Sequence, residues 1–212
     1  MLRLLQAFLD ALYPPSLTCN LCGKDAFVGP QGLCEACAAL LCPAPPLPLP
    51  SHLDGLRAGL LYDEHASALM HRFKYSGARY MAGTLAYFMQ TEDAADAIVP
   101  VPLYPKRQKR RGYNQSLLLA QALSNRLGIP VHAEFLSRTR DTASQTTLRR
   151  AARADNVRGA FRASPGVAGL RLLLLDDVVT TGATLNECAA ALKAQGALSV
   201  SALTVCAAKP PK

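Results

Sequence analysis

Two periods of apolar residues run through this chain. Residues 1–15, MLRLLQAFLDALYPP, form an apolar run broken by Gln6 and Asp10, which predicts a short amphipathic helix. RAGLLY, 57–62, predicts a strand. Over 64–75 and 80–90 apolar residues return every third or fourth position, which puts Leu69, Met70 and Phe73, then Leu85, Phe88 and Met89, on the buried sides of two helices. His71, Arg72 and Lys74 fall between those apolar positions. DAIVPVPL, 96–103, predicts a buried strand ending in prolines, and KRQKRRGYN follows as a basic loop. Asn114 is placed to cap a helix that runs to Leu127 with Leu117, Leu118, Ala120 and Leu123 inward, and Gly128 stops it. A strand around 131–136 leads into a polar, arginine-rich segment. A strand over 170–176, a helix over 184–195 and a last strand over 198–205 complete the pattern. Strands alternating with helices predict an α/β fold, a parallel sheet flanked by helices with right-handed crossovers.

Composition narrows the picture. At 212 residues, half of them apolar, the chain can bury one sizeable core and carry a small appendage. Five prolines in CPAPPLPLPS, 42–51, stiffen an extended connector and place a boundary near residue 50. The expected organisation is 1–50 as N-terminal helix, cysteine-rich segment and linker, and 51–212 as the main domain. A formal charge of +8 favours anionic partners such as nucleotides, sugar phosphates or nucleic acid. No stretch approaches the ~20 apolar residues that cross a bilayer, so no membrane insertion is expected. Seven cysteines, an odd number, suit a reducing compartment, and a cytoplasmic location is expected.

Four of those cysteines form Cys19-x-x-Cys22 and Cys34-x-x-Cys37, eleven residues apart. This spacing offers four thiolates in tetrahedral geometry, a closed and therefore structural zinc site. A short glycine-rich segment with almost no apolar core needs such a metal to fold. A redox Cys-x-x-Cys pair and an iron–sulfur cluster are the competing readings. Cys188 and Cys206 read as small core residues, and Cys42 lies outside the pattern.

The most informative stretch is LLLLDDVVTTGATL, 172–185. Four successive leucines describe a strand covered on both faces, and parallel sheets bind ligands beyond the carboxyl ends of such strands. Asp176 and Asp177 stand at that end. Thr180, Thr181, Gly182, Ala183 and Thr184 then open a helix, whose backbone N–H groups and hydroxyls can meet a phosphate. A helix cap beside solvated aspartates explains each residue singly but not their meeting at one junction.

This stretch resembles the phosphoribosyl pyrophosphate (PRPP) signature of type I phosphoribosyltransferases. The resemblance implies that Asp176 and Asp177 bind the ribose 2- and 3-hydroxyls, that residues 180–184 cradle the 5-phosphate, and that Mg²⁺ held largely by PRPP oxygens and water accompanies the ligand. It implies a pyrophosphate loop at Val101, Pro102 and Leu103. Beyond that turn, Lys106, Arg107, Lys109, Arg110 and Arg111 place five positive charges in six residues, enough for pyrophosphate or a nucleic-acid backbone, although such runs are also found simply solvated. It also implies a flexible loop over 138–161, where Arg138, Arg140, Arg149 and Arg150 lead an arginine-rich composition suited to clamping an anion. An exposed helix over 147–154 is the alternative there.

With its four-Cys knuckle, HRFKYSG, VPVPLYPKRQKRRGYNQS, the T-x-x-Q from Thr142 to Gln145, and RADNVRGAF, nearly the whole chain closely resembles the ComF family. That resemblance implies a zinc-binding N-terminus on a phosphoribosyltransferase-like domain and a link to natural transformation or the use of external DNA. Two expectations follow from it and from the basic surface. One is an enzyme acting on PRPP with Mg²⁺. The other is an accessory factor that holds single-stranded DNA while docking to a competence helicase. Lys74 and Tyr75 either face the site or end a helix with a snorkelling lysine.

Overall fold

In a computed structural model of the chain, residues 18–75, 78–140 and 157–208 are described. The predicted helix over 1–15 and the alternative helix over 147–154 lie outside them, as do Arg149 and Arg150. The short helix α1 (Glu35–Ala38) belongs to the cysteine knuckle. The main element order is β1 (Gly55–Tyr62), α2 (Glu64–Tyr75), α3 (Met81–Tyr87), β2 (Ala97–Pro100), α4 (Pro105–Arg111), α5 (Gln115–Leu127), β3 (Leu136–Arg138), β4 (Phe161–Ala163), β5 (Arg171–Val179), α6 (Ala183–Ala194) and β6 (Ser199–Ala208). Among the described residues no helix is long and apolar enough to cross a membrane.

Four strands form one parallel sheet in the order β1-β6-β5-β2. The four leucines of β5 divide by parity. Leu173 and Leu175 join a core with Leu69, Met70, Phe73, Met81, Leu85 and Leu119, whereas Leu172 and Leu174 join another with Leu185, Cys188 and Leu192. Helices α2, α3 and α5 therefore cover one face and α6 the other, which is why the central strand reads as a continuous apolar run. After β2 the chain passes through α5 to Val131, which bridges in parallel to Ile98, while β5 leads through α6 to β6 on the opposite side. Connections that diverge in this way leave a crevice at the carboxyl ends of β2 and β5.

Three expectations change. The basic segment is not a loop: residues 105–111 form α4, begun by Pro105 in its first turn and ended by Gly112 at a left-handed φ of 82°. In place of a strand over 131–136 there is the single bridge at Val131, a 3₁₀ turn at Ala133–Phe135, and β3, which pairs antiparallel with β4. In α5 the inward positions are Leu119, Ala120 and Leu123, with Leu117 and Leu118 half-buried, because the fully apolar stripe is narrower than its sequence suggests.

The proline-rich connector is extended and paired. Leu61 N donates to the Cys42 carbonyl at 2.8 Å, Ala44 N to the Gly59 carbonyl at 3.2 Å, and Pro43 bridges antiparallel to Leu60. This covers part of edge strand β1, and proline suits an edge position where a missing N–H costs no ladder bond. Cys19, Leu33, Cys37 and Leu41 of the knuckle pack into the same core as α2 and α3.

Candidate functional site

Strand β5 extends to Val179, so Asp176 and Asp177 lie within its last residues, and the main-chain N–H of Val101 donates to Leu175 O at 2.9 Å just before them. The buried leucines position the pair. Alternation along the strand then sends the two carboxylates to different partners. Asp176 Oδ1 accepts from Ser116 Oγ and from the Asp177 main-chain N–H, both at 2.9 Å. Asp177 Oδ2 meets Lys74 Nζ at 2.9 Å, with the two side chains 16% and 19% exposed. Lys74 ends α2 and Ser116 begins α5, so two helices from one face of the sheet close on the acidic pair.

Electrostatics follow from this packing. Burial at the strand end, then the charge of Asp177, push the Asp176 carboxyl up to about 7, against the opposing hydrogen bonds from Asp177 N and Ser116 and the charge of Lys74. Burial by itself would lower Lys74, but Asp177, with Asp176 and Tyr62, together hold the ammonium above its ordinary range.

The following loop is set up at a helix N-terminus. Gly182 caps α6 with φ 76°, Ala183 N donates to Thr181 Oγ1 at 3.3 Å, and Asn186 N to Gly182 O at 2.8 Å. A side chain at Gly182 would meet both the left-handed backbone and the Pro50 ring, whose Cγ lies 2.8 Å from the position of an added Cβ. Asp176, Thr180, Ala183 and Thr184 help to line a concavity of about 20 Å³ there, so a phosphate would sit on this loop rather than inside it.

Val101, Pro102 and Leu103 link β2 to α4 without regular structure, with Asn114 Nδ2 donating to the Val101 carbonyl at 3.1 Å. Asn114 also caps α5, accepting from Ser116 N at 3.0 Å. The Tyr113 hydroxyl donates to the Phe73 carbonyl, and Arg79 lies 5.0 Å over the Tyr113 ring. The segment RRGYNQS thus ties the end of α2, the link after β2 and Asp176 together. Lys106 and Lys109 are exposed on α4, Arg111 is half-buried, and Arg107 and Arg110 lie on the same helix. Arg138 ends β3 with its guanidinium 5.3 Å over the Phe161 ring, and Arg140 donates to the Arg158 carbonyl at 2.7 Å. Both lie at the base of the arginine-rich segment, and Arg138 and Asp176 both act electrostatically on the buried Cys188. Across that base, Gly159 N donates to Glu187 of α6 at 3.0 Å.

Sequence reasoning left Lys74 open and did not assign Ser116. The serine sits inside the RRGYNQS motif, one residue into α5, but nothing local says that its hydroxyl crosses 60 residues to Asp176.

In the knuckle, the sulfurs of Cys19, Cys22, Cys34 and Cys37 all lie within 4.8 Å of one another. Leu21 N and Cys34 N each donate to Cys19 Sγ at 3.4 Å. Burial opposes ionisation of Cys19, yet backbone N–H groups of Cys22, Cys34 and Leu21 bring its thiol down to about 6, while burial and the neighbouring sulfurs push Cys37 up to about 12. A divalent cation among them reverses that mutual opposition, and the donor set suits a metal that prefers sulfur. Arg72 Nη1 donates to the Asn20 carbonyl at 2.6 Å, and Asn20 Nδ2 to Thr84 Oγ1 at 2.8 Å, docking the knuckle on α2 and α3.

The phosphoribosyl transferase domain model matches residues 114–212. The DNA utilization protein YhgH of Salmonella typhimurium is 33% identical over 217 aligned positions, covering 89% of this chain and 96% of that protein. Competence protein F of Haemophilus influenzae is 38% identical over 148, covering 64% and 65% of the two chains. Among solved structures, the glutamine PRPP amidotransferase from B. subtilis aligns at a TM-score of 0.40 with 24% identity, over 63% of this chain and 26% of that one, and adds nothing to the sheet topology already described. The near full-length similarity to YhgH, together with the domain match over the acidic pair and its loop, makes this chain a member of the ComF family of phosphoribosyltransferase-like proteins.

Proposed function

We propose that the crevice at the ends of β2 and β5 binds a 5-phosphoribosyl compound, PRPP with Mg²⁺ in the first instance, and that the protein serves the use of DNA named for its relatives. The observation that carries this reading is the acidic pair at a buried strand end, each carboxylate held by its own partner, directly before a glycine-capped helix N-terminus. Asp176 and Asp177 accept hydrogen bonds from the 2- and 3-hydroxyls. Thr180, Thr181, Gly182, Ala183 and Thr184 receive the 5-phosphate through backbone N–H groups and hydroxyls. The link at Val101, Pro102 and Leu103, with the basic α4, faces the pyrophosphate.

In the reaction this supports, the bond from ribose C1 to pyrophosphate breaks and one from C1 to an acceptor nucleophile or water forms, pyrophosphate leaving with the bonding electrons, and the carboxylates lie on the sugar, where positive charge develops in between. Mg²⁺, when bound, would neutralise charge on the departing pyrophosphate. Zinc in the knuckle fits the four-sulfur donor set and the two N–H groups aimed at Cys19 Sγ, and would be structural since all four positions are protein ligands. The exposure of Lys106 and Lys109 on α4 favours a second reading, in which the same basic edge carries single-stranded DNA, with a helicase-type partner docked beside it.

Thermal melting with PRPP and Mg²⁺ tests the first reading. Saturating ligand at 100 times its Kd should stabilise the fold by about 2.7 kcal/mol, a rise of several degrees. Asp176→Asn combined with Asp177→Asn should abolish the rise. No rise in the unaltered protein would exclude the site.

A further inference from the structure

The ion pair between Lys74 and Asp177 is more than a helix end seated on a sheet. Lys74 belongs to a different face-covering element from the loop that would receive phosphate, and its ammonium lies 2.9 Å from Asp177 Oδ2. Asp177 and Asp176 face it from β5 and Tyr62 from the end of β1; Cys206 on β6 feels the charges of Asp177, Lys74 and Asp63, and Cys188 on α6 feels those of Asp176, Arg138 and Glu187. On α2 itself, Arg72 is turned away to the carbonyls of the knuckle. Lys74 thus presents a cation to two adjacent carboxylates.

We propose that Lys74 is a positioning residue of the sugar site: its ammonium, paired with Asp177, keeps the neighbouring Asp176 carboxyl charged, so that it can accept a ribose hydroxyl near neutral pH. This rests on the reading of the crevice as a phosphoribosyl site. The geometry of Asp176 explains why charge matters there. Its Oδ1 is already taken by Ser116 Oγ and the Asp177 N–H. A proton on this carboxyl would therefore occupy Oδ2, the oxygen left for a ligand, and turn it from acceptor to donor. A hydroxyl that should donate would meet another O–H. The charge of Lys74 works against that protonation, while burial and Asp177 work for it, so removal of the ammonium tips Asp176 toward holding a proton.

Two measurements decide the matter, on the full chain with its metal. First, the Asp176 carboxyl is titrated by ¹³C NMR in ligand-free protein. In the unaltered chain its midpoint should lie near neutrality, and in Lys74→Met it should rise by about one pH unit or more. Second, ribose 5-phosphate binding is followed by calorimetry from pH 6 to 9. The Lys74→Met protein should bind about tenfold more weakly than the unaltered chain at pH 6, about threefold more weakly at pH 7.5 and about equally at pH 9, because affinity falls about tenfold for each unit below the midpoint. Lys74→Arg should keep the original profile. Near-UV circular dichroism confirms that each variant is folded.

An unmoved Asp176 midpoint overturns the proposal, as does ribose 5-phosphate binding by Lys74→Met with the original pH profile. Equal loss at every pH in the folded variant also overturns it, since that would make Lys74 a direct contact or a packing element. If the unaltered chain binds neither ribose 5-phosphate nor PRPP at any pH, the phosphoribosyl reading itself fails and takes this role with it. If only the variant's profile fails to shift, the sugar site stands and Lys74 alone is excluded.

Discussion

Asp176 shows what one residue costs and what holds it in place. Its carboxyl is pushed to about 7 in the fold, against an ordinary value of 3.8. At ~1.4 kcal/mol per pH unit, keeping it charged costs on the order of a few kcal/mol. Leu172, Leu173, Leu174 and Leu175 are all nearly inaccessible, and burial of such side chains contributes ~2 kcal/mol each, so the strand is secured despite the acid at its end. Because the folded value is raised, the unfolded chain releases its proton near pH 4 while the folded one keeps it up to about 7. The ligand-free protein should therefore lose stability from this group as pH rises through that window. Asp176→Asn should melt higher than the unaltered chain at pH 8, by several degrees, and the gap should close toward pH 4. A gap that stays constant across that range would mean the substitution acts through packing. The acidic pair was legible in the sequence because adjacency is a local property. Ser116 and Lys74 were not, because their reach to the pair depends on which helices lie over β5.

At the scale of elements, the knuckle is the clearest case of local pattern deciding chemistry. Two Cys-x-x-Cys turns with left-handed glycines at Gly23 and Gly32 bring four sulfurs within 4.8 Å, much as the spacing alone predicts. Its docking was not predictable: Cys19, Leu33 and Cys37 share a core with Leu69, Met70 and Leu85, and Arg72 ties α2 to knuckle carbonyls. Cys19→Ser with Cys22→Ser should lower zinc from ~1 per chain to near zero and also lower the melting temperature of the whole protein by several degrees. Metal analysis and calorimetry check the two effects separately. Full zinc content in the double variant would refute the assignment. Helix α4 makes the opposite point. Pro105 and Gly112 are start and stop signals plainly present in the sequence, but the density of like charge between them suggested a loop. Lysine and arginine are good helix formers, and with Lys106 and Lys109 exposed to solvent their repulsion is screened.

Over the whole molecule, the formal charge of +8 is a property of composition, and its placement is a property of the fold. Helix α4 presents Lys106 and Lys109 to solvent directly after the link that follows β2. If this edge carries single-stranded DNA, affinity should fall steeply with salt, and Lys106→Ala with Lys109→Ala should weaken binding and reduce the log–log salt slope by about 1.4, ~0.7 for each phosphate that no longer meets a lysine. Binding by fluorescence anisotropy across salt concentrations reads both, and an unchanged slope would place the DNA elsewhere. What the sequence determined by itself is everything encoded at short range: the four-sulfur knuckle, the apolar period of α2 and α5, a doubly buried β5, and the acid pair joined to a threonine-glycine loop. Those features rest on spacing and burial periodicity, which a linear chain displays. What only the tertiary structure decided is the sheet order β1-β6-β5-β2, the crevice where connections diverge, and the convergence of Lys74 and Ser116 on two adjacent aspartates. These depend on which elements are neighbours in space, settled by the joint burial of two faces of one sheet rather than by any segment of the chain.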